Sequence, residues 1–454
     1  MGCPFHGDAS ELDEVLAGNA PAPDAAAPAT EAEAATTATA TETAAASNDA
    51  APAAAETTAP AATRAKKNAS AARIRESVQS KRFKRGDKDD RIVRKDEGFF
   101  GPGSMTWKIW GFPAFSLMGF ARSVTIEHLD PDLVASVDAS GQVYKRTPVR
   151  YDRTMEYFSA LMFADSQTIT RMADILMKVH DRSYGENPVT GNNFEANKPS
   201  SQLWIMVTAW HSMLYCYEKF GPGKLSRDEE NEYWQEMKRA CELQPINLDD
   251  VPTTRGEVQK FFDDWREKLS ASEAAIRNTD HILDGVETIE PDFPKWFIAL
   301  IRPLFRWGTI ATYPRWMRPM LGVKQSRLMD QLMFWTWKPI FAFFLKFPKV
   351  HMEIVKRASP RAVRYFEAPL LGVPAESPKI MKPEVARRMY GNPKSPLEQR
   401  EELLAKRNEG IGQKSYNHNH TDQILEFRSA DSVETTKDAI DSTNELVEDK
   451  SKAS

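Results

Sequence analysis

The sequence predicts an all-α protein: a single large helical domain with disordered N- and C-terminal tails. Three observations predict it. From about residue 105 to about 285, apolar side chains recur at steps of three and four, the period of a helix packed on one face. Over the same stretch no run of alternating Val, Ile and Thr has the look of a strand. At both ends the composition turns polar and the period is lost.

The tails come first because they bound the rest. Residues 15 to 64 are Ala, Thr, Pro and Glu with almost no large apolar side chains, too little burial to offset the entropy of ordering. The basic run RAKKNASAARIRESVQSKRFKRGDKDDRIVRK follows, which suits an anionic surface or, more plainly, a solvated charged segment. Residues 1–97 therefore read as a disordered tail ending in a basic segment, 98–375 as the helical domain, and 376–454 as a charged, largely disordered extension.

Of the 454 residues 41% are hydrophobic and the net charge is −4, so a sizeable core is possible and neither sign of charge dominates. Cys3, Cys216 and Cys241 lie far apart and no C-x-x-C occurs, which supports neither a disulfide framework nor a structural zinc site. A reducing cytoplasm is the natural setting. MGCPFHGDAS lacks a secretory n- and h-region, and His6 stands where a myristoylation pattern needs Ser or Thr. Cys3-Pro4 is a weak haem-contact pattern. With no zinc finger, aromatic platform or helix-turn-helix signature, nucleic acid is not an expected partner.

Within the domain, Gly101, Pro102 and Gly103 punctuate the chain and Ser104 caps a helix from Met105. PAFSLMGFARSVTIEHL continues the helical period. Two amphipathic helices follow in RYDRTMEYFSALMFADSQTITRMADILMKVHDRSYG. QLWIMVTAWHSMLYCYEKF is apolar nearly all round, as a buried central helix would be, and stops at Gly221-Pro222-Gly223. Ser226 caps an acidic first turn, and Thr253 or Thr254 caps a helix through VQKFFDDWREKL.

The segment 294–360 differs in character. Its basic residues, from Lys295 and Arg302 to Lys356 and Arg357, face only Asp330 and Glu353. Neither apolar stretch runs about 18 residues without a charge or proline, so no transmembrane helix is expected. Trp, Phe and Arg interleaved on short helices suit a membrane interface, and equally a helical shell whose arginines reach past apolar stems to water.

Chemistry concentrates in the paired helices. Ile169, Met172, Ala173, Leu176 and Val179 make an apolar stripe that His180 joins, in the last turn before Gly185 and Pro188. Arg150 and Arg153 flank Thr154 at the start of the preceding helix. On periodicity alone His180 is a core histidine bonded to a carbonyl near a helix end. Other metal chemistries lack their motifs: no histidine has a Glu three positions before it, and H-E-x-x-H, G-x-S-x-G, the phosphate loop and the dinucleotide glycine pattern are absent. A single inward histidine without partner ligands suits haem best, because the porphyrin supplies the other four ligands.

GPGSMTW at 101–107, RYDRT at 150–154, MKVHDRSYG ending at Gly185 and LWIMVTAWHSMLYCYEKFGPGKLSRDE at 203–229 follow one another as they do in the rubber-oxygenase (latex-clearing protein) and fungal endoplasmic-reticulum-bound oxygenase-like family. The chain resembles that family over roughly residues 98 to 330. The resemblance implies an all-helical catalytic domain with haem b, His180 as the proximal iron ligand, and Arg150, Arg153 and Thr154 near the distal side. Departures matter. Arg153 stands where latex-clearing proteins have a lysine able to ligate iron, and a guanidinium, always protonated, cannot do so. Trp204-Ile205-Met206 replaces a common Trp-Val-His. Met206 is then core, an apolar wall or a sixth ligand, and His211 is structural or supports the cofactor.

The function expected is that of a haem-dependent oxygenase, an oxidoreductase taking O2 and an apolar substrate of isoprenoid or lipid type. Catalytic roles fall to Arg150, Arg153 and Thr154. Cofactor contacts fall to His180, Arg150, Arg153, Met206 and His211, with the metal on His180. The alternative is a non-catalytic peripheral membrane or scaffolding protein on the same fold, meeting an anionic membrane through 294–360. Location would be cytoplasmic or peripheral to a membrane.

Overall fold

The Ser104 cap forms: its hydroxyl accepts the Trp107 amide at 3.1 Å and opens α1, Met105–Trp110. The computed structural model describes residues 93–139, 144, 147–187, 190–286 and 294–410, all within one compact unit. Most of both expected tails, with the basic run, Cys3 and His6, lies outside the described residues. Order begins earlier than Gly101. Arg94 and Glu97 pair at 2.7 Å in the interior, and Asp96 accepts the Ser166 amide at 2.8 Å.

After α1 the chain winds through a π-turn, Phe115–Gly119, straight into α2, Phe120–Glu127. Then come α3, Pro131–Ala139; α4, Thr147–Phe163; and α5, Ser166–Asp181, capped by Asp165, which accepts the Thr168 amide at 2.8 Å. The helix α6, Pro199–Phe220, is the buried central element that its all-round apolar sequence implies, with Trp204 and Trp210 wholly enclosed. Ser226 makes a full capping box for α7, Arg227–Cys241, and of the two threonines offered it is Thr254 that caps α8, Arg255–Arg266. Next are α9, Glu273–Leu283; α10, Lys295–Thr312; α11, Arg327–Lys346; and α12, Pro348–Ala358. The shorter α13, Glu367–Leu371, α14, Pro383–Tyr390, and α15, Pro396–Asn408, complete the described chain. The protein is all-α, with α2 packed along α6 and α10 along α11.

Four expectations change. A two-stranded antiparallel hairpin, Tyr184–Glu186 with Asn193–Glu195, interrupts the helices, turning at Gly191 with φ +69°. Three-residue strands are too short to leave an alternating pattern. Thr154 is not at a helix start: α4 begins at Thr147, so Thr154 stands two turns in and donates to the Arg150 carbonyl at 2.9 Å. The helices of 294–360 are not short, because Pro303 and Pro339 sit inside α10 and α11. No helix among the described residues is long and apolar enough to cross a membrane.

The last change concerns the C-terminal boundary. The helical body does not end near residue 375, because α14 and α15 pack against α5. Arg407 donates to the Asp181 carbonyl at 2.7 Å and lies over the Tyr184 ring at 4.0 Å. Arg387 donates to the Glu242 carbonyl at 2.6 Å.

Candidate active site

Three elements converge on His180. It stands in the last turn of α5, beside Asp181, whose carbonyl accepts from Arg407, and near Asn197, whose amide donates to the Met177 carbonyl at 2.9 Å. Gln202, on the first turn of α6, puts its amide nitrogen 3.5 Å from the imidazole Nδ1 and anchors itself on the Ala196 carbonyl at 2.5 Å. Burial, then the Arg150 guanidinium on α4, bring the His180 imidazole down to about 4, with Asn197 opposing. The ring is thus neutral through the physiological range. It nevertheless retains accessible surface.

Arg150 shares that character: it is half-buried, and burial lowers its guanidinium. It also acts on a second imidazole that the sequence reading missed. His128 closes α2 at its C-terminus, 3% exposed, with Nδ1 lacking any hydrogen-bond partner. Burial and then Arg150 bring it to about 3. Its neighbour Glu127 accepts from Ser123 and, at 3.3 Å, from Thr208, and burial raises its carboxyl to about 7. Two buried titratable groups side by side at the end of an apolar stripe, the Glu-His of TIEHL, were the signal available in the sequence.

Of the residues singled out, the structure relates Arg150 to His180, with Arg153 and Thr154 half-buried on the same helix. Met206 is one turn beyond Gln202 on the same flank of α6 and is 2% exposed in the core. His211 is elsewhere. Nine residues past Gln202 is two and a half turns, on the opposite face of α6 and roughly 13 Å along it. There its Nδ1 faces Arg122 at 3.3 Å and its ring meets Phe262 edge-on at 4.9 Å. Arg122 is tied in turn to Ser212 at 2.7 Å and to the Thr312 carbonyl at 3.0 Å, so His211 belongs to a buried network joining α2, α6 and α10. Among the described residues no three His, Cys, Asp or Glu side chains cluster to hold a bare metal ion.

The helical body thus brings a buried neutral histidine of α5 and the Arg150 guanidinium of α4 into one neighbourhood. Residues 107–343, just over half of the chain, match the family model described as ER-bound oxygenase mpaB/B'/Rubber oxygenase, catalytic domain. The chain belongs to that family; it carries an oxygenase catalytic domain and is an enzyme. No curated protein and no solved structure matches it.

Proposed function

We propose that the protein is a haem-dependent oxygenase acting with O2 on an apolar substrate of isoprenoid or lipid type. The observation that carries the haem reading is His180, an imidazole in the last turn of α5 that burial and Arg150 keep neutral. With the Gln202 amide donating to Nδ1 the ring proton sits on Nε2, so ligation through Nε2 calls for that proton to pass to Nδ1 and for Gln202 to turn its carbonyl oxygen toward it. The orphaned Nδ1 of buried His128 and the cationic Arg150 also fit a site built for an anionic, metal-bearing group. Haem, when bound, supplies the iron that activates oxygen.

In this reading His180 holds the iron. Arg150 and Arg153 balance the propionates or orient oxygen, and Met206 contributes apolar wall. The Thr154 hydroxyl is spent on the Arg150 carbonyl, so its part is to shape α4 beside the site while its oxygen can still accept a hydrogen bond. His211 supports the fold through Arg122.

The test is an absorption spectrum with a pyridine haemochrome assay on purified wild type, His180→Ala and His128→Ala, each supplied with hemin. A Soret band that His180→Ala weakens or shifts is expected. An equal spectrum in wild type and His180→Ala sinks the assignment of the ligand, and a change confined to His128→Ala moves it to α2.

A specific observation favours an added membrane contact. Helices α10 and α11, side by side, turn apolar stripes outward: Trp296 is 70% exposed, Leu328 78% and Trp335 71%, with Leu300, Leu332 and Phe343 between them. Lys295, Lys338, Lys346 and Lys349 are exposed on the same two helices and at the start of α12. Aromatic and cationic side chains together on an outward face suit an anionic bilayer surface. Binding to phosphatidylserine vesicles that weakens as salt rises is the expected result; no binding at low salt removes this contact.

A further inference from the structure

A groove of about 340 Å³ opens between α1, the C-terminal end of α6, the α11–α12 corner and α13. It lies about 22 Å from the candidate active site, the length of α6 between Gln202 and Tyr217 at the helical rise. Phe112, Phe344, Leu345 and Leu370 line it, with four prolines that offer no amide donor. His351 also lines it. That residue is 3% exposed, and neither Nδ1 nor Nε2 has a hydrogen-bond partner. Its ring is set between Phe344 and Phe366, with centroids 6.0 and 6.1 Å away.

Leaving a buried polar group unsatisfied costs about 1–3 kcal/mol, so the two orphaned nitrogens, sealed from solvent as they stand, call for a partner, and the groove that His351 lines is where one can come from. Water is a poor one. A space this size takes on the order of ten molecules at about 30 Å³ each, and the walls give them few polar groups to hold. An apolar chain suits those walls, and the groove's size falls among small-molecule sites. The outer lip runs through Leu345 to exposed Phe347 and Val350, so a chain can enter from the apolar outer face.

The polar end of such a ligand is set by charge. Lys108 at the wall is already met by Glu229 at 2.6 Å, which leaves no uncompensated cation for a carboxylate. Burial lowers His351 to about 4, so the ring is neutral and offers one donor and one acceptor. A hydroxyl meets one of the two as donor or acceptor and brings no charge; a carboxylate would bring an anion with no cation there to offset its desolvation. We propose that this groove is a second small-molecule site, taking a long-chain alcohol whose hydroxyl bonds His351 and whose chain lies against Phe112, Phe344 and Leu370. His351 lies beyond the family-matched residues 107–343, so the polar anchor of the groove comes from this chain's C-terminal portion.

The test is calorimetric titration of the purified full-length protein with 1-dodecanol, dodecanoate and dodecane at matched detergent-free concentrations. Saturable binding of one dodecanol is expected, with His351→Leu weakening it about five- to tenfold, the worth of one hydrogen bond. His180→Ala should leave it unchanged, which separates this site from the haem reading. Leu370→Trp, which fills the groove from α13, should abolish binding even if His351→Leu folds poorly. Dodecanoate or dodecane binding as tightly as the alcohol overturns the hydroxyl assignment. Absence of saturable binding, or binding indifferent to both substitutions, leaves a water-filled groove and overturns the site.

Discussion

At the scale of residues, the interior is unusual for the number of imidazoles it keeps neutral. His128 is brought to about 3, His180 and His351 to about 4, and His211 well below its ordinary value, in each case first by burial. In the unfolded chain each titrates near 6.5. Below that pH the unfolded state takes up protons that the folded state refuses, so stability falls as pH drops from about 6.5 toward about 4. For His351, almost fully enclosed, the loss approaches roughly 3 kcal/mol at the acid limit. Glu127 has the opposite sign: its carboxyl, raised to about 7, favours the fold at low pH and withdraws that contribution as pH climbs from about 4.5 through 7. Chemical denaturation at pH 4.5, 5.5, 6.5 and 7.5 should show a steep loss on the acid side, and His351→Leu should make that loss shallower. A midpoint flat from pH 7 to 4.5 contradicts the burial of these rings. The sequence offered half of this. His180 stood out because the apolar stripe of MADILMKVH runs into it. His128 falls within the helical period of PAFSLMGFARSVTIEHL, and periodicity reports burial but says nothing of which nitrogen lacks a partner.

At the scale of elements, helix existence and caps were legible while the C-terminal boundary was not, and one physical reason covers both outcomes. Caps such as Ser104, Ser226 and Thr254 are local, decided within four residues. The stretch after residue 375 looks detached because it is charged, yet its charges help attach it, beside buried Met381 and Ala386. Arg400 pairs with Glu195, Arg407 with Asp181 and Glu195, and Arg387 reaches the Glu242 carbonyl. Hydropathy cannot see a contact made by ion pairs across 200 residues. These pairs brace α5 and the hairpin, the elements that carry and support His180. Arg407→Ala removes a largely buried partner of Asp181 and should cost about 3 kcal/mol, within the range for breaking a buried pair. It should also loosen the end of α5. The check is a lowered urea midpoint at unchanged m-value, with faster amide exchange at Val179 to Asp181. Exchange unchanged there would mean that α15 is only laid against the body and does not secure the site.

At the scale of the whole molecule, the distribution of charge decides how the outward face of α10 and α11 behaves. The arginines of this region are largely committed inward: Arg302 and Arg306 to Asp284 and Asp280, Arg315 and Arg318 to Asp330. Lys295, Lys338, Lys346 and Lys349 remain exposed on those helices and at the start of α12. A second copy pressed against that face would bring like charges together with the apolar stripes, which an anionic bilayer does not. The two contributions separate by salt. Each lysine near an anionic surface is worth about 1 kcal/mol, so Lys338→Glu with Lys346→Glu should lower vesicle partitioning at least roughly 25-fold at low salt, with little effect at high salt. Trp296→Ala with Trp335→Ala removes buried apolar area and should weaken binding at every salt concentration, since that part of the free energy is not screened. Co-sedimentation with phosphatidylserine and phosphatidylcholine vesicles from 0.05 to 0.5 M salt, about 14 to 4 Å in screening length, reads both effects. If both pairs of substitutions instead shift a concentration-dependent dimer seen by analytical ultracentrifugation and vesicles leave the protein in the supernatant, the face is a contact between copies, and the lysines must then be answered by acids on the opposing chain.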